Sequence, residues 1–297
     1  VVGTGSFGRH HVRHLSQHPR VRRVTVVDLD RERAEAVAAP HGASVETDLD
    51  ALEVDAAVVT VPTEHHRSVA ERLIARGAHV FIEKPIAGTD ADAAALVMAA
   101  ERAGVVVQVG HIERFSTVFQ ALAARASGTT KIIARRHNMP RPVPPTADVV
   151  LDLMIHDIDL ALTLAGAPVR EVIATAPDGA EGEAAAATLR FANGIVAEIS
   201  ASRLAAETER TLTVHDSAGL LRADLGAGTL SREADGLAVP QELPVAHDNL
   251  AVEIDEFVRA ALGEATPSVD GRAACSALVV ANRVRAALAN SKLQLTA

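Results

Sequence analysis

The chain of 297 residues contains neither tryptophan nor tyrosine, and its six phenylalanines bring the aromatic content to only 2%. Without tyrosine, any dehydrogenase scheme built on a tyrosine acid is excluded, including the Tyr-x-x-x-Lys pair of short-chain dehydrogenases. The scarcity of aromatics also argues against a surface that stacks nucleic-acid bases. The formal net charge of −9 argues in the same direction, because a polyanionic partner requires a concentrated basic face. With a single cysteine, Cys275, there is no internal disulfide, which fits a reducing, cytoplasmic compartment. No apolar run approaches the roughly 18 residues of a membrane span. Lysine is also scarce: of 29 basic residues, only Lys84, Lys131 and Lys292 are lysines. Arginine keeps its charge, whereas burial and neighbours tune a lysine amine. A lysine at a strand end in this chain therefore carries information.

The chain has two rhythms. Up to residue 115, short apolar runs at 24–27, 56–61, 79–82 and 105–109 alternate with helical segments at 7–17, 31–39, 64–76 and 90–103. Val1-Val2 reads as the end of a further strand, and Gly77 and Gly104 stand where helix C-terminal glycines belong. This βαβ series predicts a doubly wound parallel sheet, a Rossmann domain over 1–115. From 116 to 297, strand-like segments follow one another at 131–136, 169–175, 184–191, 195–200 and 210–215. An Ala192-Asn193-Gly194 hairpin turn joins two of them. The expected second domain is α+β with a mainly antiparallel sheet, closed by helices at 249–262 and 272–288; the C-terminal helix can pack back on the first domain. A stiff loop over 137–148 holds Pro140, Pro142, Pro144 and Pro145.

Gly3-Thr4-Gly5-Ser6-Phe7-Gly8 is a G-x-G-x-x-G between a strand and a helix. Its glycines permit a tight turn and close backbone approach, so the helix N-terminus can receive a pyrophosphate. Asp28 ends the next strand 20 residues past Gly8, where a carboxylate hydrogen-bonds the ribose diol and favours NAD over NADP. Arg31 and Arg33 lie close enough to admit NADP. Thr60, Pro62 and His66 in the next strand-end turn, and Glu83 with Lys84 after the run at 79–82, belong to the same edge, where open α/β sheets bind ligands. His10, His11 and His14 read as helix-surface histidines rather than metal ligands, and no metal is expected. The helix over 149–164 is apolar almost all round, yet it carries Asp152, His156, Asp157 and Asp159. Asp152, His156 and Asp159 share one face. Either an internal pair pins this helix to a neighbour or the stripe takes part in chemistry.

Taken together, the Gly3–Gly8 turn, Pro62-Thr63-x-x-His66, Glu83-Lys84-Pro85 and Asp152-x-x-x-His156 resemble the Gfo/Idh/MocA oxidoreductases over nearly the whole chain. The resemblance implies Lys84, Asp152 and His156 as the reacting group, and a second-domain sheet that forms a homodimer or homotetramer. His111-Ile112-Glu113-Arg114-Phe115 with His156-Asp157-Ile158-Asp159 is similar to the sugar-nucleotide 3-dehydrogenases of that family, those acting on UDP-N-acetylglucosamine. Ser116-Thr117 departs from the Asn-Pro of that pattern. The implied activity is hydride transfer between a sugar secondary hydroxyl and NAD(P), with His156 as base, oriented by Asp152, and Lys84 on the reacting oxygen. The residues alone allow those two roles to be exchanged. Arg114, Arg135, Arg136 and Arg141 are candidates for a substrate diphosphate, Arg114 and Arg141 foremost. The alternatives are an inositol or free-monosaccharide dehydrogenase, or a dinucleotide-sensing regulator without catalysis.

Overall fold

The computed structural model describes residues 1–142, 147–234 and 236–295, the last four by backbone alone. Pro144 and Pro145 of the proline-rich loop lie outside the described residues. The chain divides into two units: residues Val1–Ile112 with Asp248–Cys275, and residues Glu113–His247 with Ser276 onward. The return of the chain at Asp248 gives the first unit a helix that a single break near residue 115 would assign to the second.

The first unit is a parallel sheet with helices. Its strands are β1 (Thr25–Val27), β2 (Ser44–Glu46), β3 (Ala56–Val59), β4 (His79–Glu83) and β5 (Val107–Gly110). Val2 bridges Val27 on one side and Val59 on the other, both in parallel. The order is therefore β2-β1-Val2-β3-β4-β5, with the first segment at the centre. That centre is where strand order reverses, so a ligand crevice opens beyond the strand C-termini. Helices α1 (Gly8–Gln17), α2 (Arg31–Ala38), α3 (His66–Ile74) and α4 (Asp90–Ala103) provide the crossovers. Local chemistry sets their ends: Asp30 caps α2 by accepting from the Arg33 amide, and Thr89 caps α4 by accepting from that of Asp92. Gly104 closes α4 at φ 68°, a conformation that costs glycine nothing sterically. Leu15, Val58 and Phe81 pack with Ile254 and Phe257 of α7 (Asn249–Ala261), and the two phenylalanine rings meet edge-on at 5.7 Å. Each such side chain contributes about 1.5–3 kcal/mol by leaving water. Strand β2 was not anticipated, since Ser-Val-Glu at a sheet edge offers no apolar run.

The second unit is built on an eight-stranded sheet of order β13-β12-β11-β10-β6-β9-β8-β7. Its members are β6 (Lys131–His137), β7 (Val169–Thr175), β8 (Ala184–Phe191), β9 (Val196–Ser202), β10 (Glu209–Asp216), β11 (Gly219–Asp224), β12 (Thr229–Ala234) and β13 (Leu237–Pro240). All pairs are antiparallel except β6 with β9. The Ala192-Asn193-Gly194 turn joins β8 to β9 as expected, with Gly194 at φ 88°. Alternating burial along β6, β8 and β9 leaves one face apolar. That face packs in one core with residues of α5 (Thr117–Arg125), α6 (Ile155–Ala165) and the later part of α8 (Gly271–Leu295). At the departure from the Asn-Pro pattern, Ser116 caps α5 by accepting from the Phe119 amide. The helix expected from 149 is not uniform: Val150–Met154 forms a π turn before α6 begins.

Candidate active site

The glycine turn is packed so that side chains cannot replace its outer two glycines. Gly3 has φ 95°, and a Cβ there would lie 2.9 Å from the Thr60 carbonyl and the Val61 nitrogen. A Cβ on Gly8 would lie 2.1 Å from the Gly3 carbonyl oxygen. At Gly5, by contrast, a Cβ would meet nothing within 4 Å, so this side of the turn is open. Ser6 and Phe7 are exposed, and no described side chain caps α1. The His10 and His11 amides donate to the Phe7 carbonyl, and the N–H groups ahead of them at the start of α1 can face an anion, which fits a dinucleotide pyrophosphate. Thr60 closes the base of the turn, its hydroxyl donating to the Gly3 carbonyl at 2.8 Å.

Asp28 follows β1 and is aimed at the turn. Its carboxylate accepts from the Thr4 amide at 2.8 Å, the Thr4 hydroxyl at 2.5 Å and the Asp30 amide at 3.0 Å. The Arg33 guanidinium reaches the same carboxylate at 2.6 Å. Burial pushes the Asp28 pKa up, but Arg33, Thr4 and the backbone donors outweigh it and hold the group well below the usual carboxylate range. Asp28 is therefore an anion at neutral pH, as a ribose-diol acceptor must be.

Lys84 lies half-buried just beyond β4, and the Lys84–Pro85 peptide is cis. Two predicted neighbours face inward rather than toward a ligand. The Glu83 carboxylate meets His11 Nε2 at 2.7 Å and accepts from the Lys84 amide at 3.2 Å. Gly110 makes room for it, since a Cβ there would stand 2.9 Å from Glu83 Oε2. His66 is buried, with Nδ1 2.9 Å from the Pro85 carbonyl and Nε2 2.9 Å from that of Val61. Burial pushes its pKa down, against the pull of those carbonyls and of Glu83. Glu83 and His66 both make contacts that fix the backbone beside Lys84. Pro62 is exposed at the turn. The expectation for His11 is corrected as well: it is fully buried, its ring tilted against Phe81 at 5.1 Å, not on a helix surface. Among the described residues no group of His, Cys, Asp and Glu could hold a metal ion, and no helix is long and apolar enough to cross a membrane.

In the second unit the acidic stripe resolves into arginine pairs. Arg114 forms a two-pronged bond to Asp159, both contacts at 2.7 Å. Arg136 does the same to Asp157, at 2.9 and 3.0 Å, and reaches Glu113 at 2.6 Å. Asp152, in the π turn, accepts from Arg203 at 3.1 Å. Burial pushes the Asp157 carboxyl up; Arg136 opposes it, and the two-pronged geometry holds the pair ionised. Burial likewise works against the Arg136 charge, but Asp157 and Glu113 overcome it and raise its pKa further. Arg114 and Arg136 are therefore occupied by carboxylates, which corrects their expected role as diphosphate ligands. Arg135 and Arg141 are exposed. Glu113-Arg114 and Asp157-Asp159, far apart in sequence, are one interlocked set, and it fixes α6 with His156 on it. Arg203 was missed: a lone arginine after β9 gives no sequence signal, although it is buried and also contacts Glu183.

A parallel sheet reversing at its first strand, a turn whose Gly3 and Gly8 leave no room for a Cβ and an ionised strand-end aspartate define a dinucleotide-binding Rossmann domain. Comparison with known proteins gives the class. Residues 1–111 match the oxidoreductase family with NAD-binding Rossmann fold, and residues 109–222 match the Gfo/Idh/MocA C-terminal domain. The UDP-N-acetylglucosamine 3-dehydrogenase of Acidithiobacillus ferrooxidans is 33% identical over 97% of this chain and 96% of its own. Its solved structure superposes with a TM-score of 0.91, at 32% identity and the same coverage. The inositol 2-dehydrogenase of Rhizobium meliloti is 29% identical over 75% of this chain and 74% of its own. The chain belongs to the Gfo/Idh/MocA family of NAD-binding oxidoreductases.

Proposed function

We propose that the chain oxidises the 3-hydroxyl of a UDP-linked N-acetylhexosamine, reversibly, with NAD as the hydride acceptor. The observation that carries this reading is the end-to-end likeness to a UDP-N-acetylglucosamine 3-dehydrogenase. The Glu113-Arg114 and Asp157-Asp159 motifs, paired in one network, support it. The cofactor is held by the Gly3–Gly8 turn and the N-terminus of α1, with Asp28 on the ribose diol. Bound there, NAD would supply the acceptor for the hydride that leaves the carbinol carbon. The residues of the chain manage the proton: Lys84 donates a hydrogen bond to the hydroxyl oxygen, and His156 accepts the proton that leaves it. Asp152, fastened by Arg203, orients His156. Arg141 is the candidate for the diphosphate, since Arg114 and Arg136 are committed elsewhere. The single cysteine supports a cytoplasmic protein, and the family resemblance supports a homodimer or homotetramer. Partial likeness to inositol 2-dehydrogenases sustains a second reading, a free-polyol substrate. Following NAD reduction with UDP-N-acetylglucosamine, free N-acetylglucosamine and inositol in parallel separates the two.

A further inference from the structure

Lys84 sits between two residues that are each anchored by a buried imidazole. On the N-terminal side, Glu83 Oε1 lies 2.7 Å from Nε2 of His11, which sits one turn into α1 from the glycine turn. The other Glu83 oxygen accepts the amide of Lys84 itself. On the C-terminal side, His66 Nδ1 lies 2.9 Å from the Pro85 carbonyl. His66 opens α3, and its Nε2 faces the Val61 carbonyl at 2.9 Å. The neighbouring Thr60 is hydrogen-bonded to Gly3. Two routes, Gly8–His11–Glu83 and Gly3–Thr60–Val61–His66–Pro85, therefore tie the Lys84 backbone to the dinucleotide turn.

We propose that His66 and His11 are positioning residues that fix Lys84 relative to the cofactor turn, His66 by donating its Nδ1 proton to the Pro85 carbonyl. This rests on the reading of Lys84 as a reacting group. A neutral imidazole has one N–H to give. Pro85 is buried while Val61 is half-buried and reaches solvent, so the Pro85 carbonyl is the one that suffers more without a donor. For His11 the donor is Nε2, toward Glu83; Nδ1 is buried with no hydrogen-bond partner among the described residues, as befits the unprotonated nitrogen. Neither ring need touch substrate or cofactor. A shift of about 1 Å at a reacting amine costs on the order of 10²-fold in rate.

The two ring nitrogens of His66 can be tested separately. In His66→Asn the amide nitrogen stands near the Nδ1 position, in His66→Gln near Nε2, and His66→Phe keeps the volume with neither. With NAD and UDP-N-acetylglucosamine, the expected kcat falls roughly 10- to 100-fold in His66→Phe and His66→Gln. It returns to within about fivefold of the parent in His66→Asn, with KM and NAD affinity changed less than about threefold throughout. His11→Leu follows His66→Phe, and His11→Gln recovers. A second readout does not depend on turnover. The chain has three lysines, so protein labelled with [15N]lysine shows three lysine backbone amides. In His66→Phe the Lys84 amide should move while that of Lys131 stays, and His66→Asn should restore it. Equal kcat in the Asn and Gln variants, or a Lys84 amide unmoved in His66→Phe, overturns the proposal. Lys84→Met is the control: if it retains turnover, the reading of Lys84 fails and takes the proposal with it. If Lys84→Met is inactive while His66→Phe is not, the proposal alone fails.

Discussion

Replacing Arg136 with methionine removes a buried arginine that faces two carboxylates, Asp157 and Glu113. The Arg136 side chain is 4% exposed, and Asp157 and Glu113 are 2% and 13% exposed. Methionine fills similar space but leaves the Asp157 carboxylate without its two bonds at 2.9 and 3.0 Å. Breaking a buried pair on one side costs about 3–5 kcal/mol at pH 7. Total stability is about 5–15 kcal/mol, so the loss is a large share of it. Urea titration followed by far-ultraviolet circular dichroism should show a midpoint lowered accordingly. The cost must also depend on pH in a defined sense. An unpartnered buried carboxyl has a folded-state pKa raised above the unfolded value of about 3.9. Its penalty is full above the raised value, shrinks as pH falls through it, and is gone near the unfolded value. Arg136→Met should therefore approach the parent as the solution is acidified. The double variant Arg136→Met/Asp157→Leu, which removes both charges, should recover most of the loss at pH 7. A loss below about 1 kcal/mol in the single variant, or no recovery in the double, would refute the assignment of this network as the anchor of α6.

Other consequences concern the cofactor and the reacting amine. Gly8→Ala places a Cβ 2.1 Å from the Gly3 carbonyl oxygen, so the turn must open and NAD affinity should fall at least about tenfold, or 1.4 kcal/mol, by calorimetry. Unchanged affinity would remove the pyrophosphate from that turn. Asp28→Ser removes the diol acceptor and frees Arg33, and should lower the ratio of NAD to NADP affinity; an unaltered ratio would place the ribose elsewhere. Lys84→Arg keeps the charge but loses the compact, tunable amine, and kcat should drop on the order of 10²-fold with NAD affinity nearly constant. Near-normal turnover would return Lys84 to an ordinary loop residue.

The first unit was largely legible because its signals are local. Apolar runs alternating with helical periods mark β3, β4 and β5, and the glycine spacing to Asp28 marks the ligand edge. What escaped notice has physical reasons. Strand β2 is short and polar, held by pairing with β1 rather than by burial. β11, β12 and β13 extend the second sheet toward its edge, and β13 is exposed along its length. The arginine partners of Asp152, Asp157 and Asp159 lie 51, 21 and 45 residues away, a separation at which charge alone cannot reveal a pair. So the stripe is visible in the sequence and reads as chemistry, with Asp152 and His156 in the reacting group; the structure gives its neighbours Asp157 and Asp159 arginine partners, Arg136 and Arg114. His11 was within reach. It stands three residues past Gly8 and four before Leu15, both buried, so helical spacing already placed it on the inner face.

The choice of substrate separates a sugar-nucleotide dehydrogenase from a free-sugar or polyol dehydrogenase. Purified protein mixed with NAD and UDP-N-acetylglucosamine should develop the absorbance of reduced nicotinamide, and product analysis should find the 3-keto sugar nucleotide. Free N-acetylglucosamine and inositol should give kcat/KM values lower by on the order of 10²-fold or more, because neither offers the diphosphate. If either is oxidised as efficiently as the UDP-sugar, the sugar-nucleotide assignment is contradicted; if none of the three reduces NAD, the assigned hydride transfer is.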